Sequence, residues 1–173
     1  MPLSKQDARY CNILEAKFDN ETNCVGLAAP QIGIDRRIIV FEVLADDPDN
    51  EGRNVTQEMS KVLWINPSYS PLTDEMQYDY EGCFSVNATT VMGKVPRPKR
   101  IAYQATLRNG DIVEGEAVDF LARVIMHEID HVDGVLFIDK AYSETVFDTQ
   151  SEDDADHEKF EMLKQFCEEH GLN

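Results

Sequence analysis

The stretch Ala117-Val118-Asp119-Phe120-Leu121-Ala122-Arg123-Val124-Ile125-Met126-His127-Glu128-Ile129-Asp130-His131 decides the fold, because its apolar residues return at helical period along its whole length. Gly134 follows where a left-handed cap can end such a helix. Two imidazoles, His127 and His131, then fall one turn apart on one face, within reach of a single divalent ion, with Glu128 beside them. Two solvated surface histidines would be the plainer reading, but the flanks of the pair are apolar. Phe120 and Val124 continue the same stripe, so an apolar wall adjoins the histidines. By the same spacing Arg123 is expected near the rim of that wall, its stem packed and its head turned to a peptide backbone.

Working outward, residues 135–138 are expected to form a short buried strand. Upstream, residues 101–107 and 112–117 flank Arg108-Asn109-Gly110-Asp111, whose Asn-Gly pair tolerates the positive φ values of a type I′ turn and predicts a hairpin. Two more strands are expected at 38–43 and 62–65, separated by a polar loop over 45–60. Residues 6–19 place Tyr10, Ile13, Leu14 and Phe18 close to helical spacing and end in a turn at Asp19-Asn20. Beyond Ser143 the chain is rich in Asp and Glu, with an amphipathic trace at Phe160, Leu163, Phe166 and Cys167 that predicts one more helix. No repeat or linker interrupts this pattern. The expectation is one α+β domain over 1–173, antiparallel sheets and hairpins packed around the histidine-bearing helix, with an acidic tail from about 144 to 173.

At 173 residues the chain is long enough to bury one core without disulfide support. Its formal charge of -17 argues against a nucleic-acid partner, since counterion release needs clustered Lys and Arg. No apolar run approaches the ~20 residues of a membrane span, and residues 1–9 lack the features of a secretory signal. A cytoplasmic monomer is therefore expected, or an organellar one if a transit peptide has been removed. Cys11, Cys24, Cys83 and Cys167 show no framework spacing and are expected to stay reduced, and the Asn-x-Thr sequons at Asn20, Asn54 and Asn87 read as chance.

Two histidines leave a catalytic metal site one protein ligand short. One group of zinc proteases extends H-E-x-x-H to a third histidine, but here that position is Phe137. Another takes a later glutamate, for which Glu144, Glu158 and Glu161 are candidates. Upstream, Glu81-Gly82-Cys83-Phe84-Ser85 offers a thiolate next to a glycine, where backbone can approach closely. The residues alone leave open a peptidase, an amidase with a cysteine ligand, and a non-catalytic domain that a metal merely stabilises.

Three segments in order, Cys24-Val25-Gly26-Leu27-Ala28-Ala29-Pro30-Gln31, Glu81-Gly82-Cys83-Phe84-Ser85 and His127-Glu128-Ile129-Asp130-His131, together resemble the signature motifs of the peptide deformylase family. The likeness extends to Asn66-Pro67, Val95-Pro96-Arg97 and Gly134-Val135-Leu136-Phe137-Ile138-Asp139. It implies hydrolysis of the N-formyl group of N-terminal formylmethionine on nascent polypeptides, with Cys83, His127 and His131 as metal ligands. The implied ion is Fe2+, for which Zn2+, Ni2+ or Co2+ can substitute. Glu128 is implied as base and then acid, with the Gln31 side-chain amide and the Phe84 backbone N–H as oxyanion donors. Val25, Gly26, Glu81, Gly82, Phe120, Arg123 and Val124 are implied as substrate-binding. The chain departs from the family at Cys24, where glycine is usual, and at Val86-Asn87, where a proline usually follows the second motif. Several bacterial members end in a basic helix that docks on the ribosome; the acidic tail here predicts at most a transient proximity.

Overall fold

The computed structural model describes residues 3–87 and 90–169. The chain runs α1 (Lys5–Asp19), β1 (Gly26–Ala28), β2 (Ile38–Val43), β3 (Met59–Pro71), β4 (Met76–Gly82), β5 (Val91–Pro98), β6 (Arg100–Thr106), β7 (Ile112–Val118), α2 (Asp119–Val132), β8 (Phe147–Asp148) and α3 (Asp154–Glu169). Five strands form an antiparallel sheet in the order β1-β2-β3-β6-β7, and three form a smaller one, β4-β5-β8. The expected α+β architecture is the observed one.

Both faces of the larger sheet are covered. In β2 the side chains alternate: Ile39, Phe41 and Val43 join Trp64 of β3 and the apolar face of α2, while Ile38 and Val40 join Leu63, Ile65 and the buried face of α1. This explains why β2 reads as a continuous apolar run instead of an alternating one. Helix α1 starts at Ser4, whose Oγ accepts from the Asp7 N–H at 3.0 Å, and seats Cys11, Leu14 and Phe18 on the sheet. Helix α2 is nearly all buried, so the histidine pair is carried by the most tightly held element of the molecule. Gly134 takes the left-handed conformation expected of it, with φ of 76°.

Three local expectations change. The β6–β7 hairpin forms, but only Gly110 of its turn has positive φ, and the Gly110 N–H meets Leu107 O at 2.9 Å. The connection is thus a longer loop with a left-handed glycine, not a type I′ turn, which needs both central residues at positive φ. Residues 135–138 form no strand. Phe137–Asp139 is a single 3-10 turn, fastened by the Leu136 N–H donating to Asp139 Oδ2 at 2.8 Å. It buries Phe137 and leaves Ile138 38% exposed. Strand β3 outruns the expected 62–65 because a register shift between Ile65 and Ser68, with Asn66 at φ 49°, bends it onto β6 without ending it.

The smaller sheet was not foreseen. Gly93, Pro96 and Pro98 interrupt any strand pattern in β5, yet β8 pairs only with Val91 and Met92. Past that point β5 is an edge strand, where a missing proline N–H is tolerated. Helix α3 rests on this sheet through Phe160, whose ring centroid is 6.2 Å from that of Phe147. The side chains of Leu163, Phe166 and Cys167, which carried the expected amphipathic trace, lie outside the described residues.

Candidate active site

Cys83 follows the last residue of β4, in a turn closed by the Val86 N–H on Cys83 O at 2.9 Å. That turn sets its thiol against the α2 imidazoles. Cys83 Sγ lies 3.1 Å from His131 Nε2, which lies 3.2 Å from His127 Nε2. The ligand atoms of the three residues fall within 4.8 Å of one another. His127 turns its Nδ1 to Glu81 Oε2 at 2.9 Å, which leaves Nε2 to face the group. A carboxylate on the far nitrogen is the arrangement that orients a metal-bound histidine. One thiolate and two imidazoles, largely buried and converging, fit a divalent ion with a position left over for substrate.

Charge within this group is set by mutual contact. Burial alone would raise the Cys83 thiol, but His127 and His131 outweigh it and hold the pKa at about 5. For His127 burial would lower the value, and the bonds to Cys83 and Glu81 push it up to about 10. Both shifts run in the direction that favours a thiolate beside an imidazolium when no metal is bound. Glu128 is 4% exposed, and burial pushes its carboxyl up to about 7. Its Oε2 is buried without a hydrogen-bond partner among the described residues. Its side chain packs on Gly26, where a Cβ would stand 2.7 Å from Glu128 Cδ.

Gln31 sits in a one-turn 3-10 helix, Ala29–Ile32, directly after β1. The Ala28 N–H donates to its Oε1 at 2.7 Å, which fixes the amide so that Nε2 faces Ser85 Oγ at 3.2 Å and Cys83 Sγ at 3.5 Å. A cavity of about 250 Å³ gathers Val25, Gly26, Gln31, Gly82, Cys83, Phe84, Phe120, Val124, His127 and Glu128. The cavity and the thiol–imidazole group share Cys83 and His127, while His131 belongs to the group and not to the cavity lining.

Two expected substrate contacts have other duties. Glu81 accepts from Arg97 Nε at 2.6 Å and Nη2 at 2.8 Å, from Arg123 Nη1 at 2.5 Å, and faces His127. Burial would raise this carboxyl, but Arg97 and His127 hold it well below the ordinary range. Arg123 borders the cavity but does not reach out from a rim. It is 2% exposed, and its head lies inward on Glu81, Val95 O and Gln77 O, because a guanidinium so deeply buried must find carboxylate or carbonyl partners.

Residues that sequence reasoning did not single out complete the site. Arg97 Nη1 donates to Asp130 Oδ2 at 2.8 Å, and Lys140 Nζ reaches Asp130 at 2.6 Å and 2.7 Å, so a line of alternating charge runs from Lys140 to His127. Arg97 and Asp130 stood inside quoted motifs, but nothing local marked them as partners. Arg53, from the polar loop before β3, also lines the cavity and gave no signal at all. Cys24 lines it too, with Sγ 3.2 Å from Gly26 O, and is not one of the converging ligands. Phe137, at the position of a third histidine, is core, and Glu161 pairs with Lys164 on the surface. Among the described residues the third ligand that converges on the two histidines is Cys83, not Glu144, Glu158 or Glu161, which weighs against the peptidase reading.

Comparison with known proteins agrees with this geometry. The model of the polypeptide deformylase family matches residues 4–146. The chain is similar to peptide deformylase 2 of Rickettsia conorii, 50% identical over 139 residues that cover 80% of this chain and 68% of that protein. It is 44% identical to peptide deformylase of Fusobacterium nucleatum over 120 residues, 69% of this chain and 60% of that one. Among solved structures it resembles class I type b peptide deformylase of Acinetobacter baumannii bound to Met-Ala-Ser, with TM-score 0.66 and 29% identity over 81% of this chain and 88% of that one. The Thermotoga maritima peptide deformylase structure gives TM-score 0.64 and 31% identity over 82% and 86%.

Proposed function

The chain belongs to the polypeptide deformylase family, and from that premise we propose that it hydrolyses the N-formyl group of formylmethionyl peptides, releasing formate and a free amino terminus. The observation that carries the reading is the meeting of Cys83, His127 and His131 at 3.1 Å and 3.2 Å in a group that borders the same cavity as a buried Glu128. A purely structural ion would need neither the carboxylate nor the cavity.

Held by Cys83, His127 and His131, a divalent ion supplies Lewis-acid chemistry that makes water a nucleophile near neutral pH. Glu128 accepts the proton of the attacking water; its pKa of about 7 suits it both to take that proton and to return it. The water oxygen bonds to the formyl carbon, the carbon–nitrogen bond breaks, and Glu128 delivers the proton to the departing amine. The Gln31 amide and the Phe84 N–H are the donors proposed for the developing oxyanion, each worth ~10²- to 10³-fold in turnover. Val25, Gly26, Gly82, Phe120 and Val124 border the substrate, with the methionine side chain against the apolar wall. The Met-Ala-Ser bound to the Acinetobacter relative supports a product of this kind.

The proposed ion is Fe2+, with Zn2+, Ni2+ or Co2+ as replacements; a thiolate with two imidazoles accommodates all four. The proposed setting is the cytoplasm, the protein acting alone on nascent chains. Helix α3 opens with Asp154 and Asp156 and is an acidic appendage to the catalytic unit, unsuited to docking on RNA. The test is formate release from formyl-Met-Ala-Ser, with the unformylated peptide as control. Glu128→Gln is expected to keep metal and fold while turnover falls by ~10²-fold or more. Near-normal turnover in a metal-replete variant would sink the mechanism.

A further inference from the structure

The family match ends at residue 146, yet the chain beyond it is built against the strand that leads into Cys83. The smaller sheet has two faces. Glu81, Val95 and Arg97 share the face that meets α2, where Arg97 donates to Asp130 and Glu81 faces His127. On the other face Gly82 of β4 pairs with Met92 of β5, and Met92 pairs with Phe147 of β8, so one rung runs Phe147, Met92, Gly82. Cys83 is the next residue. Phe147 is 2% exposed, and its ring centroid lies 6.1 Å from that of Tyr80, which with Gly82 and Met92 borders the cavity. Helix α3 holds this strand down, with Phe160 against Phe147 at 6.2 Å and Lys159 Nζ donating to Val146 O at 2.7 Å.

Polar bonds fix the same segment to the turn that follows Cys83. Asn87 Nδ2 donates to Asp148 Oδ2 at 2.8 Å, and the Thr149 N–H and Oγ1 both donate to Thr90 O, at 2.8 Å and 3.0 Å. Asn87 has φ of 44°, a left-handed conformation that is costly away from glycine and persists only where neighbours hold it. Phe84 is 38% exposed, so its own side chain does little to fix its backbone. Cys83 and Phe84 are thus held from both ends, by a buried rung before them and a bonded Asn87 after them. Phe147 and Asp148 do not line the cavity, so any effect they have on the reaction passes through this turn.

We propose that the segment beyond Val146 is a positioning element of the active site, in which Phe147 and Asp148 clamp residues 82–87 so that Cys83 and the Phe84 N–H keep their places. The proposal rests on the deformylase reading for the role of the Phe84 N–H. It makes β8 and α3 part of the turnover machinery, although they lie outside the matched residues.

The experiment compares Phe147→Ala, Phe147→Leu, Asp148→Ala and Asp148→Asn with the wild-type protein, each metal-loaded and assayed well below its melting temperature. Formate release from formyl-Met-Ala-Ser gives kcat and KM, and hydrogen exchange read by mass spectrometry follows residues 82–87. Phe147→Ala is expected to hold its metal and KM while kcat falls ~10- to 100-fold, the loss when a catalytic donor shifts by up to about 1 Å. Exchange over 82–87 should quicken by about tenfold, and Phe147→Leu should recover most of both effects. Asp148→Ala should lose about threefold in kcat, and Asp148→Asn, which keeps an acceptor for Asn87, almost none. A merely structural role would lower the melting temperature and leave kcat and local exchange unchanged. Wild-type kcat in metal-replete Phe147→Ala would overturn the proposal. If that variant does not fold, wild-type kcat and exchange in Asp148→Ala would overturn it instead. A wild-type protein that releases no formate would sink the deformylase reading alone, because exchange over 82–87 still reads the clamp.

Discussion

Replacing Gly26 by alanine adds one methyl group at the point where β1 touches the catalytic carboxylate. The new Cβ would stand 2.7 Å from Glu128 Cδ and 2.8 Å from Cγ, about 1 Å inside the ~3.5–4.0 Å at which carbon atoms rest. Helix α2 cannot retreat, since its other faces are packed into the core. Gly26 cannot either, being paired with Phe41 of β2. The Glu128 side chain must therefore swing by about 1 Å, a misplacement that costs ~10²-fold in rate at a catalytic group. Overpacking of this kind destabilises by ~1–3 kcal/mol, which lowers Tm by ~2–12 °C in a domain of this size. Metal content should be unchanged, because Cys83, His127 and His131 are untouched. The assay is formate release at saturating formyl-Met-Ala-Ser, with elemental analysis and thermal melts on the same preparations. In a Glu128→Ala background the clash disappears, so the melting penalty of Gly26→Ala should fall below ~0.5 kcal/mol, as a double-mutant cycle for contacting residues requires. Turnover within threefold of wild type, or an equal penalty in both backgrounds, would refute the reasoning.

Glu81→Gln removes the charge shared by Arg97, Arg123 and His127; it should weaken metal binding ~10- to 100-fold and cost about 3–5 kcal/mol in denaturant titration, and wild-type metal affinity would count against a positioning role for this carboxylate. Cys83→Ala leaves two imidazoles and should lose most bound metal along with activity, which elemental analysis after desalting would decide. Metal uptake should depend on pH with a definite sign. With Cys83 near 5 and His127 near 10, the metal-free group at pH 7.5 already has its thiolate but holds a proton on His127 that the ion must displace. Affinity should then rise with pH through the neutral range, by up to about tenfold per pH unit from this pair, and about one proton from it should be released, read from calorimetry in buffers of different ionisation enthalpy. Release of no proton at pH 7.5 would show that the imidazolium is misassigned.

The elements legible in the sequence are those whose code is local. The α2 stripe, the one-turn spacing of His127 and His131, the β6–β7 hairpin and β2 depend on residues within a few positions of each other, where side-chain direction follows from helix or strand geometry alone. The Cys83 motif was readable as a resemblance, yet nothing near Cys83 says that its sulfur ends 3.1 Å from His131 Nε2, across a sequence separation of 48. Likewise Glu81 carries no local mark of the His127 ring it orients, 46 residues away. The inward turn of Arg123 and the arrival of Arg53 over Phe120 needed β4 and β5, a sheet whose prolines disguised it and whose edge position makes them harmless. The sequence by itself determined the chemistry available: a thiol, two imidazoles on one helix face, a carboxylate beside them and an apolar stripe. Tertiary structure decided which atoms meet, because burial forces Arg123, His127 and Asp130 on that helix to find partners, and these come from distant strands brought into register only when both sheets close around α2.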